Sequence, residues 1–266
     1  MMGNIDLAVK DLDWITDRNK QHLGSLVAKA RIFEELGLVK SAIVHFSYII
    51  KQKPRHPDPY LRRAQLFELE EEYLHANEDF KRVTIIDPLN DYALFRSALY
   101  HFQKQHYTDA LKAFGKLLNS DPLNGLYFAY RGRIYAYLSK WSKAAKNLNM
   151  SIKLIPNDYR VFYFRGCLLS EMDPQAAIKD FSISLLLEDG PDNADSYYQR
   201  GLLYHKLGRY DCAVDDYFSA IEVNSGLHMA YLNLGTIYMN HFKDYDQALN
   251  FFEKTILYGM SLKLEI

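Results

Sequence analysis

The sequence predicts an all-α protein built from a row of helical hairpins. Apolar and small residues recur at the three-to-four spacing of amphipathic helices, and the whole pattern returns about every 34 residues along the chain of 266 residues. Segment 194–227 shows one unit, with Gly201 in a first helix and Ala213 and Tyr217 in a second. Gly208, between the two, can end the first helix and let the chain reverse. We therefore expect an array in which each hairpin touches only its neighbours.

Taken in order, the chain begins inside a unit. Residues 1–22 match a second helix alone, so we predict an incomplete unit there, and residues 262–266 form a tail. Two complete units depart from the common spacing: in 159–193 the turn is one residue short and the connector that follows is longer, and in 228–261 the turn is one residue long. The predicted complete units are 23–56, 57–90, 91–124, 125–158, 159–193, 194–227 and 228–261.

The same residue types mark each unit. A glycine inside a helix costs about 1 kcal/mol relative to alanine, so its repeated use indicates close contact with the second helix. The small residues of the first helices are Ala30, Ala64, Ala98, Gly132, Gly166, Gly201 and Gly235. The alanines of the second helices are Ala42, Ala76, Ala110, Ala144, Ala177, Ala213 and Ala248. Prolines close four units at Pro54, Pro88, Pro122 and Pro156.

A charged pattern also repeats. In three units an arginine precedes the small residue of the first helix and an aspartate precedes the aromatic residue of the second. Both are absent where Ser97 or Leu234 takes the arginine place, and Arg131 with Asn147 would be a weakened form. This joint presence predicts an ion pair that braces the hairpin, although the arginines could instead face a ligand. The pairs are Arg63 with Asp79, Arg165 with Asp180 and Arg200 with Asp216.

Composition and motifs exclude several classes of function. A formal net charge of -1 gives no basic surface for nucleic acid or anionic lipid. The nine histidines form no metal motif, and no phosphate loop, dinucleotide fingerprint or nucleophile elbow is present. We predict no enzyme activity, no cofactor and no metal. The two cysteines, Cys167 and Cys212, and the lack of a long apolar run predict a cytoplasmic protein without membrane insertion.

The period, the small residue of the first helix, the alanine and aromatic residue of the second, and the closing proline resemble the tetratricopeptide repeat (TPR) family over essentially the whole chain. The resemblance implies a right-handed superhelical solenoid of antiparallel helix pairs. In that family the first helices line the concave side, at places two, five, nine, twelve and thirteen of each unit. The implied partner-binding groove contains Tyr92, Phe95, Phe102, Arg133, Tyr137, Arg160, Tyr163, Tyr198 and His205. Some of these rings could instead pack only on a neighbouring repeat.

Chaperone-binding members of the family hold a terminal carboxylate with lysine at place five and asparagine at place nine. Here place five holds residues such as Phe95 and Tyr163, place nine holds Arg133 and Cys167, and no unit has the clamp. We therefore expect no recognition of Hsp70 or Hsp90 tails. The expected function is a scaffold that binds an internal peptide segment or a folded partner.

Two alternatives remain open. The last helix has apolar residues around it, which would suit a structural spacer that contacts a larger, ciliary or cytoskeletal assembly through uncapped ends. The array could also recruit substrate for a larger enzyme. The half unit at the start favours a segment of a longer array or a short isoform.

Overall fold

The computed structural model describes residues 23–188, 190–191 and 193–261 of the chain. These residues contain fourteen α-helices and one π-helix, and no strand occurs among them. The predicted all-α fold of stacked helix pairs is confirmed. The half unit at 1–22 and the tail at 262–266 lie outside the described residues, and the seven repeat boundaries stay predictions.

The chain divides into two compact units, the first of which is Met1–Pro122. Its described part holds three helical hairpins. Each helix packs on its hairpin partner, and the contacts of α2 with α3 and of α4 with α5 join successive hairpins. The helices are α1 (Leu23–Glu35), α2 (Val39–Gln52), α3 (Pro57–Leu69), α4 (Tyr73–Ile86), α5 (Asp91–Gln103) and α6 (Tyr107–Ser120).

The second unit, Leu123–Ile266, holds four hairpins that are joined in the same way. A π-helix, Tyr238–Phe242, separates the last two helices. The helices are α7 (Gly125–Tyr137), α8 (Trp141–Leu154), α9 (Tyr159–Leu169), α10 (Pro174–Leu187), α11 (Asn193–Lys206), α12 (Tyr210–Val223), α13 (His228–Ile237) and α14 (Tyr245–Ser261).

Side-chain caps fix where several first helices begin. The Asn90 side chain accepts a hydrogen bond of 3.0 Å from the amide of Ala93, and Asn124 accepts one of 3.4 Å from Tyr127. Each cap satisfies a backbone N–H that has no partner inside its own helix. In the sequence each cap follows a closing proline by two residues, so the proline and the cap together set the point where one hairpin ends and the next begins.

The hairpins are held together by the periodic small residues. The seven second-helix alanines are at most 2% exposed. At Gly201 a Cβ atom would lie 2.9 Å from the ring of Tyr217, and at Gly166 it would lie 2.8 Å from Phe181. The space left by the glycine is thus filled by the aromatic ring of the second helix, which is closer than the Ala213 side chain. This contact is the packing reason for a glycine inside a helix.

The turn that is one residue short and the turn that is one residue long accommodate the difference in different ways. Most hairpin turns contain one left-handed residue, such as Gly208 with a φ of 72°. The short turn between α9 and α10 has none, and Asp173 caps α10 by accepting a 3.0 Å bond from Ala176. Before the last turn the extra residue is absorbed by the π-helix, which is followed by Lys243 in the left-handed region at a φ of 59°.

The predicted ion pairs are confirmed. Arg200 donates two hydrogen bonds, of 2.8 and 2.7 Å, to the carboxylate of Asp216. It also donates a third bond of 2.9 Å to the hydroxyl of Ser182 on α10, the second helix of the preceding hairpin. One guanidinium therefore ties three helices, because its fork of donors reaches both partners at once. Two further arginines do the same: Arg63 with Asp79 and Ser47, and Arg165 with Asp180 and Asn149.

Candidate functional site

The second unit contains an open aromatic pocket of about 310 Å³, called the aromatic pocket below. Helix α7 contributes Arg133 and Tyr137 from its last turns, and α8 contributes Trp141, its first residue. Because consecutive hairpins stack, the middle of α9 faces these residues and supplies the other wall. The complete lining is Arg133, Ala136, Tyr137, Trp141, Leu148, Tyr163, Phe164, Cys167 and Leu168.

Arg133 packs over two aromatic rings at one wall of the aromatic pocket. Its guanidinium carbon lies 3.9 Å from the ring centroid of Phe164 and 5.6 Å from that of Tyr130. The positive charge over the faces of the two rings is a cation–π contact, which restricts the side chain before any partner arrives. Stacking uses the face of the guanidinium, whereas carboxylates bind at its edge. The wall thus combines apolar area with a fixed positive charge.

A smaller pocket of about 40 Å³ adjoins the aromatic pocket and shares Arg133 and Phe164 with it. Asp158 and Arg160 also line it, and their side chains form two hydrogen bonds of 2.8 Å each. Burial opposes ionisation of Asp158, but the hydrogen bonds and charge of Arg160 outweigh it and lower the pKa of the carboxyl. Asp158 is therefore a firmly ionised partner that neutralises Arg160.

Cys167 and Tyr163 form the opposite wall of the aromatic pocket. Cys167 is open to water, yet the concave wall surrounds it closely enough that desolvation raises the pKa of its thiol to about 11. Desolvation likewise raises the pKa of Tyr163, and the charge of Asp195 on α11 raises the pKa of both groups further. The wall is neutral at physiological pH, with one negative charge from α11 nearby.

The family of the chain follows from its sequence as well as its fold. Three sequence models of the tetratricopeptide repeat match residues 95–159, 194–227 and 229–257. The chain is a TPR protein. TPR proteins are generally protein-interaction scaffolds.

Human tetratricopeptide repeat protein 6 is 24% identical to this TPR protein over 241 residues, which are 88% of this chain and 38% of the relative. The structure of the APC/C hetero-tetramer Cut9-Hcn1 gives a TM-score of 0.66 over 94% of this chain and 49% of that chain, at 17% identity. MamA gives a TM-score of 0.56 over 64% of this chain and 97% of that chain, at 25% identity. This TPR protein spans less than half of the length of the curated relatives that it matches over most of its own length.

The structure brings four of the predicted groove residues of the TPR protein together. Arg133, Tyr137 and Tyr163 line the aromatic pocket, and Arg160 joins Arg133 in the smaller one. Tyr137 is 60% exposed, so most of its ring is open to a partner. Arg160 is exposed but is already paired with Asp158.

The predicted groove residues of the first compact unit, Met1–Pro122, all lie on α5. Tyr92 is exposed, with its ring edge-on to Phe80 at a centroid distance of 6.1 Å. Phe95 is half-buried, and its ring lies edge-on to the buried Phe114 at 6.2 Å. Phe102, also half-buried, contacts Tyr107 at 6.3 Å. Each ring therefore has a packing role inside its own unit in addition to any contact with a partner.

The two predicted residues on α11 pack in a similar way. The ring of Tyr198 lies 5.9 Å from that of the buried Tyr217, and its hydroxyl accepts a 3.4 Å bond from Asn233 of the next first helix. His205 lies 5.7 Å from Tyr210, and desolvation lowers the pKa of its imidazole. A neutral half-buried imidazole suits a packing position.

Sequence reasoning missed Trp141 and Phe164 as pocket residues. It considered only five places on the first helix of each unit, whereas Trp141 begins a second helix and Phe164 stands at place six. Trp141 is 49% exposed, which is unusual for so large an apolar residue, but this exposure is visible only in the structure.

Ion pairs between successive first helices were also missed. Arg96 on α5 donates a 2.8 Å bond to Glu68 on α3, and Lys206 on α11 lies 2.7 Å from Glu171, just after α9. Each pair joins successive first helices within one compact unit, so the two pairs place opposite charges side by side.

The outer face of α14 is partly apolar, as the sequence predicts. Leu249, Ile256 and Leu257 are each about 60% exposed, whereas Phe251 is buried and Phe252 is half-buried. The last helix therefore exposes three large aliphatic side chains and turns Phe251 and Phe252 inward.

Among the residues that the structure describes, no three His, Cys, Asp or Glu side chains come close enough to hold a metal ion. The helices there are also too short or too polar for any of them to cross a membrane.

Proposed function

We propose that this TPR protein is a non-catalytic scaffold that binds a peptide segment or a folded partner on the surface formed by its first helices, with the aromatic pocket as a main contact. The observation that carries the proposal is the pocket itself, which presents four aromatic side chains from three helices beside an arginine. Aromatic residues and arginine are the side chains most enriched where proteins bind one another.

The exposure of two aromatic side chains of the aromatic pocket also supports a binding role. Tyr137 and Trp141 keep about half or more of their surface in water, although burying a large apolar side chain in the core would be worth about 1.5–3 kcal/mol. A pair of exposed rings beside an open pocket is typical of a binding surface. We further propose that Tyr198 and His205 on α11 extend this surface within the second unit, and that Tyr92, Phe95 and Phe102 bind a partner on the first-helix surface of the first unit.

Two thiols support a cytoplasmic location as part of the proposal. Cys167 is exposed, Cys212 is half-buried, and neither is in a disulfide. Exposed thiols of this kind persist in reducing compartments.

One observation favours a second function. The exposed leucines and isoleucine of α14 would suit a spacer that joins a larger assembly through its end. In that case the aromatic pocket would contribute nothing to the capture of partners. A role as the recruiting part of a larger enzyme is a variant of the first proposal, because it uses the same surface.

The experiment compares capture of cellular proteins by three tagged forms of the chain, with quantitative mass spectrometry. One form carries Tyr137→Ala with Trp141→Ala, one carries Leu249→Glu with Ile256→Glu, and one is unchanged. We expect the pocket variant to lose at least about tenfold of the specifically captured protein, since truncating one central aromatic contact alone costs about 2 kcal/mol or more.

Tyr245→Ala is the matched control, because Tyr245 is 64% exposed, like Tyr137, but lies at the start of α14. Its capture should equal that of the unchanged chain, and circular dichroism should show equal helix content in all forms. Loss of capture in the α14 variant together with full capture by the pocket variant would reject the proposal in favour of the spacer.

A further inference from the structure

The first unit contains a pocket of about 240 Å³ between α1 and α3, called the charged pocket below. Its base is apolar, because Phe46 of α2 is 1% exposed and Pro59 of α3 is buried. Three charged residues, Arg31, Asp58 and Arg62, line the rest of it together with smaller apolar residues. Its volume is below the range of about 300–1,000 Å³ found for small-molecule sites, so it suits the side chains of a partner better than a whole cofactor.

The contact of Arg62 with α1 shows at which end of the charged pocket each charge lies. The Arg62 guanidinium is 3.6 Å from the carboxylate of Glu34, in the last turn of α1. Arg31 precedes Glu34 by three residues and therefore lies on the same face of that end. Asp58 precedes Arg62 by about one turn and lies about 6 Å nearer the start of α3. Since α2 returns between them, α1 and α3 run in the same direction, and the carboxylate and the guanidinium groups lie at opposite ends.

The charges of the charged pocket are open to a partner. Asp58 and Arg31 are both exposed, and within the part of the chain that the structure describes neither side chain makes an ion pair or a hydrogen bond. The contact of Arg62 with Glu34 is longer than a hydrogen bond, and the Arg62 side chain is 41% exposed. The pocket therefore presents a carboxylate at one end and an unpaired guanidinium at the other.

The smaller pocket of the second unit lies at the same places of its own hairpins but differs in size and charge. Arg160 stands there at the place of Asp58 and is already paired with Asp158. Phe164 stands at the place of Arg62, and a volume of only about 40 Å³ remains. Of these two equivalent pockets, the one in the first unit combines open volume with a carboxylate and a guanidinium that a ligand can pair.

We propose that the charged pocket binds an extended peptide segment of a partner protein, with a basic side chain toward Asp58, an acidic side chain toward Arg31 and an aliphatic side chain between them. This inference goes beyond the proposed function, because it places a separate site in the first unit. Charge complementarity carries it, since a segment with two like charges meets repulsion at one end of the pocket. The aliphatic side chain packs on Val27 and Phe46, which line the pocket between the charges.

The length of the charged pocket sets the spacing of the segment. Gly24 and Arg31 line it from α1 and are about 10 Å apart along the helix axis. In an extended chain, side chains two residues apart point to the same side and are about 7 Å apart. A basic and an acidic residue four positions apart are thus separated by about 13 Å, with an aliphatic residue midway on the same side. Their long side chains can take up the remaining difference.

His56 provides a reporter because it lines the charged pocket. The test uses the full chain with isotopically labelled histidines, and His56→Gln identifies the NMR signal of this imidazole. Titration with a peptide shifts the signal if the peptide enters the pocket, and the concentration dependence of the shift gives the Kd.

The probes are four end-blocked peptides at millimolar concentration. The first is Gly-Lys-Gly-Leu-Gly-Glu-Gly, the second replaces its Leu with Ala, and the third and fourth carry Lys or Glu at both charged places. We expect the first to bind at least about threefold more tightly than either peptide with two like charges, as one exposed ion pair would give. The Ala peptide should bind at least about threefold more weakly than the first, because it buries less apolar surface.

Charge variants separate recognition in the pocket from attraction by the net charge of the chain. Asp58→Lys makes both ends positive and should make the peptide with two Glu residues the tightest ligand. Arg31→Glu should do the same for the peptide with two Lys residues. Glu78→Lys and Arg82→Glu are the matched controls, because both residues are exposed on α4, do not line the pocket and change the net charge by the same amounts. The controls should leave the order of the peptides unchanged.

Equal binding of the three peptides that contain leucine, or the same reversal in the control variants, would overturn charge recognition. A His56 signal that moves with none of the peptides would overturn the pocket as the binding place. Titration of the unchanged chain decides both points even where circular dichroism shows that a variant is unfolded. The proposed function is tested independently, because the capture experiment changes Tyr137 and Trp141 of the second unit.

Discussion

The last two hairpins of the chain use the same contact between helices but differ beside it. In α11–α12, Gly201 faces the ring of Tyr217, and in α13–α14, Gly235 faces the ring of Phe252. The residues that precede the glycine and the aromatic residue differ in chemical type between the two hairpins. The first hairpin has the ion pair of Arg200 and Asp216, whereas the second has the fully buried Leu234 and the buried Phe251.

The two hairpins show which contact between helices is required and which contact can be replaced by another. A glycine opposite an aromatic ring is present in both hairpins, so close approach of the helices is the requirement. The ion pair is replaced by apolar packing in the second hairpin. Burial raises the pKa of Asp216 against the hydrogen bonds and charge of Arg200, whereas the hydrogen bonds to Asp216 raise the pKa of Arg200. Desolvation of the carboxylate therefore offsets part of what the pair gains. The pair therefore fixes the geometry of three helices more than it adds net stability.

The largest effect is expected for Gly201→Leu. The first carbon of the new side chain would already lie 2.9 Å from the ring of the buried Tyr217, so the helices must separate. We expect a loss of about 3 kcal/mol, the upper part of the usual range for overpacking. Gly235→Leu should cost about half as much, because Phe252 is only half-buried and can turn toward water on the outer face of α14.

Denaturant titration followed by circular dichroism, with hydrogen exchange of the amides of each hairpin, measures both variants. The exchange data are needed because a repeat array can lose one hairpin before the others. Equal losses in the two hairpins would show that the ring of Phe252 is as confined as that of Tyr217.

An intermediate effect is expected when the ion pair is broken from one side. Asp216→Phe leaves the guanidinium of Arg200, which is 20% exposed, without its carboxylate, and should cost about 2–3 kcal/mol, slightly less than for a fully buried pair. Adding Arg200→Leu recreates the residues of the last hairpin. The double variant should recover most of the loss and lie within about 1 kcal/mol of the original chain.

The same titration and exchange measurements give the stability of the single and double variants. Ser182→Ala is the matched control, because it removes only the third hydrogen bond of Arg200. We expect that control to cost about 1 kcal/mol. A double variant as unstable as Asp216→Phe alone would mean that the pair is required for this hairpin and is not exchangeable.

These contacts also explain how much of the fold could be read from the sequence. The small residue of the first helix and the large residue opposite it lie about 16 residues apart within a unit, as do the arginine and aspartate where both occur, so their joint recurrence predicts contact without coordinates. The third bond of Arg200 to Ser182 was not predicted, because it joins different hairpins and its partner is a serine or an asparagine in different units.

The aromatic pocket shows a different limit of prediction from the sequence. Periodicity places Arg133 and Tyr163 on a common surface, but it cannot show that the first residue of α8, Trp141, turns into the same pocket. That position depends on the turn between α7 and α8, where Ser139 is in the left-handed region. The π-helix was missed for a similar reason, since an extra residue can be taken up either in a turn or inside a helix.

The turns of the two compared hairpins give the smallest expected effect. Gly208 has a φ of 72° and Lys243 a φ of 59°, a region that costs a residue with a side chain about 1–2 kcal/mol. Glycine removes this cost but brings back about 0.5–1 kcal/mol of chain entropy, so Lys243→Gly should stabilise the last hairpin by about 0.5 kcal/mol. Gly208→Ala should destabilise its hairpin by about 1 kcal/mol.

Gly226→Ala is the control, because its φ is not positive and its added Cβ would meet only the Asn224 side chain, at 3.4 Å. This change should be neutral or slightly stabilising. Slower hydrogen exchange confined to α13 and α14 in Lys243→Gly would place the gain in the hairpin with the π-helix. Faster exchange there would show that the lysine side chain, and not the backbone conformation, decides the stability of this turn.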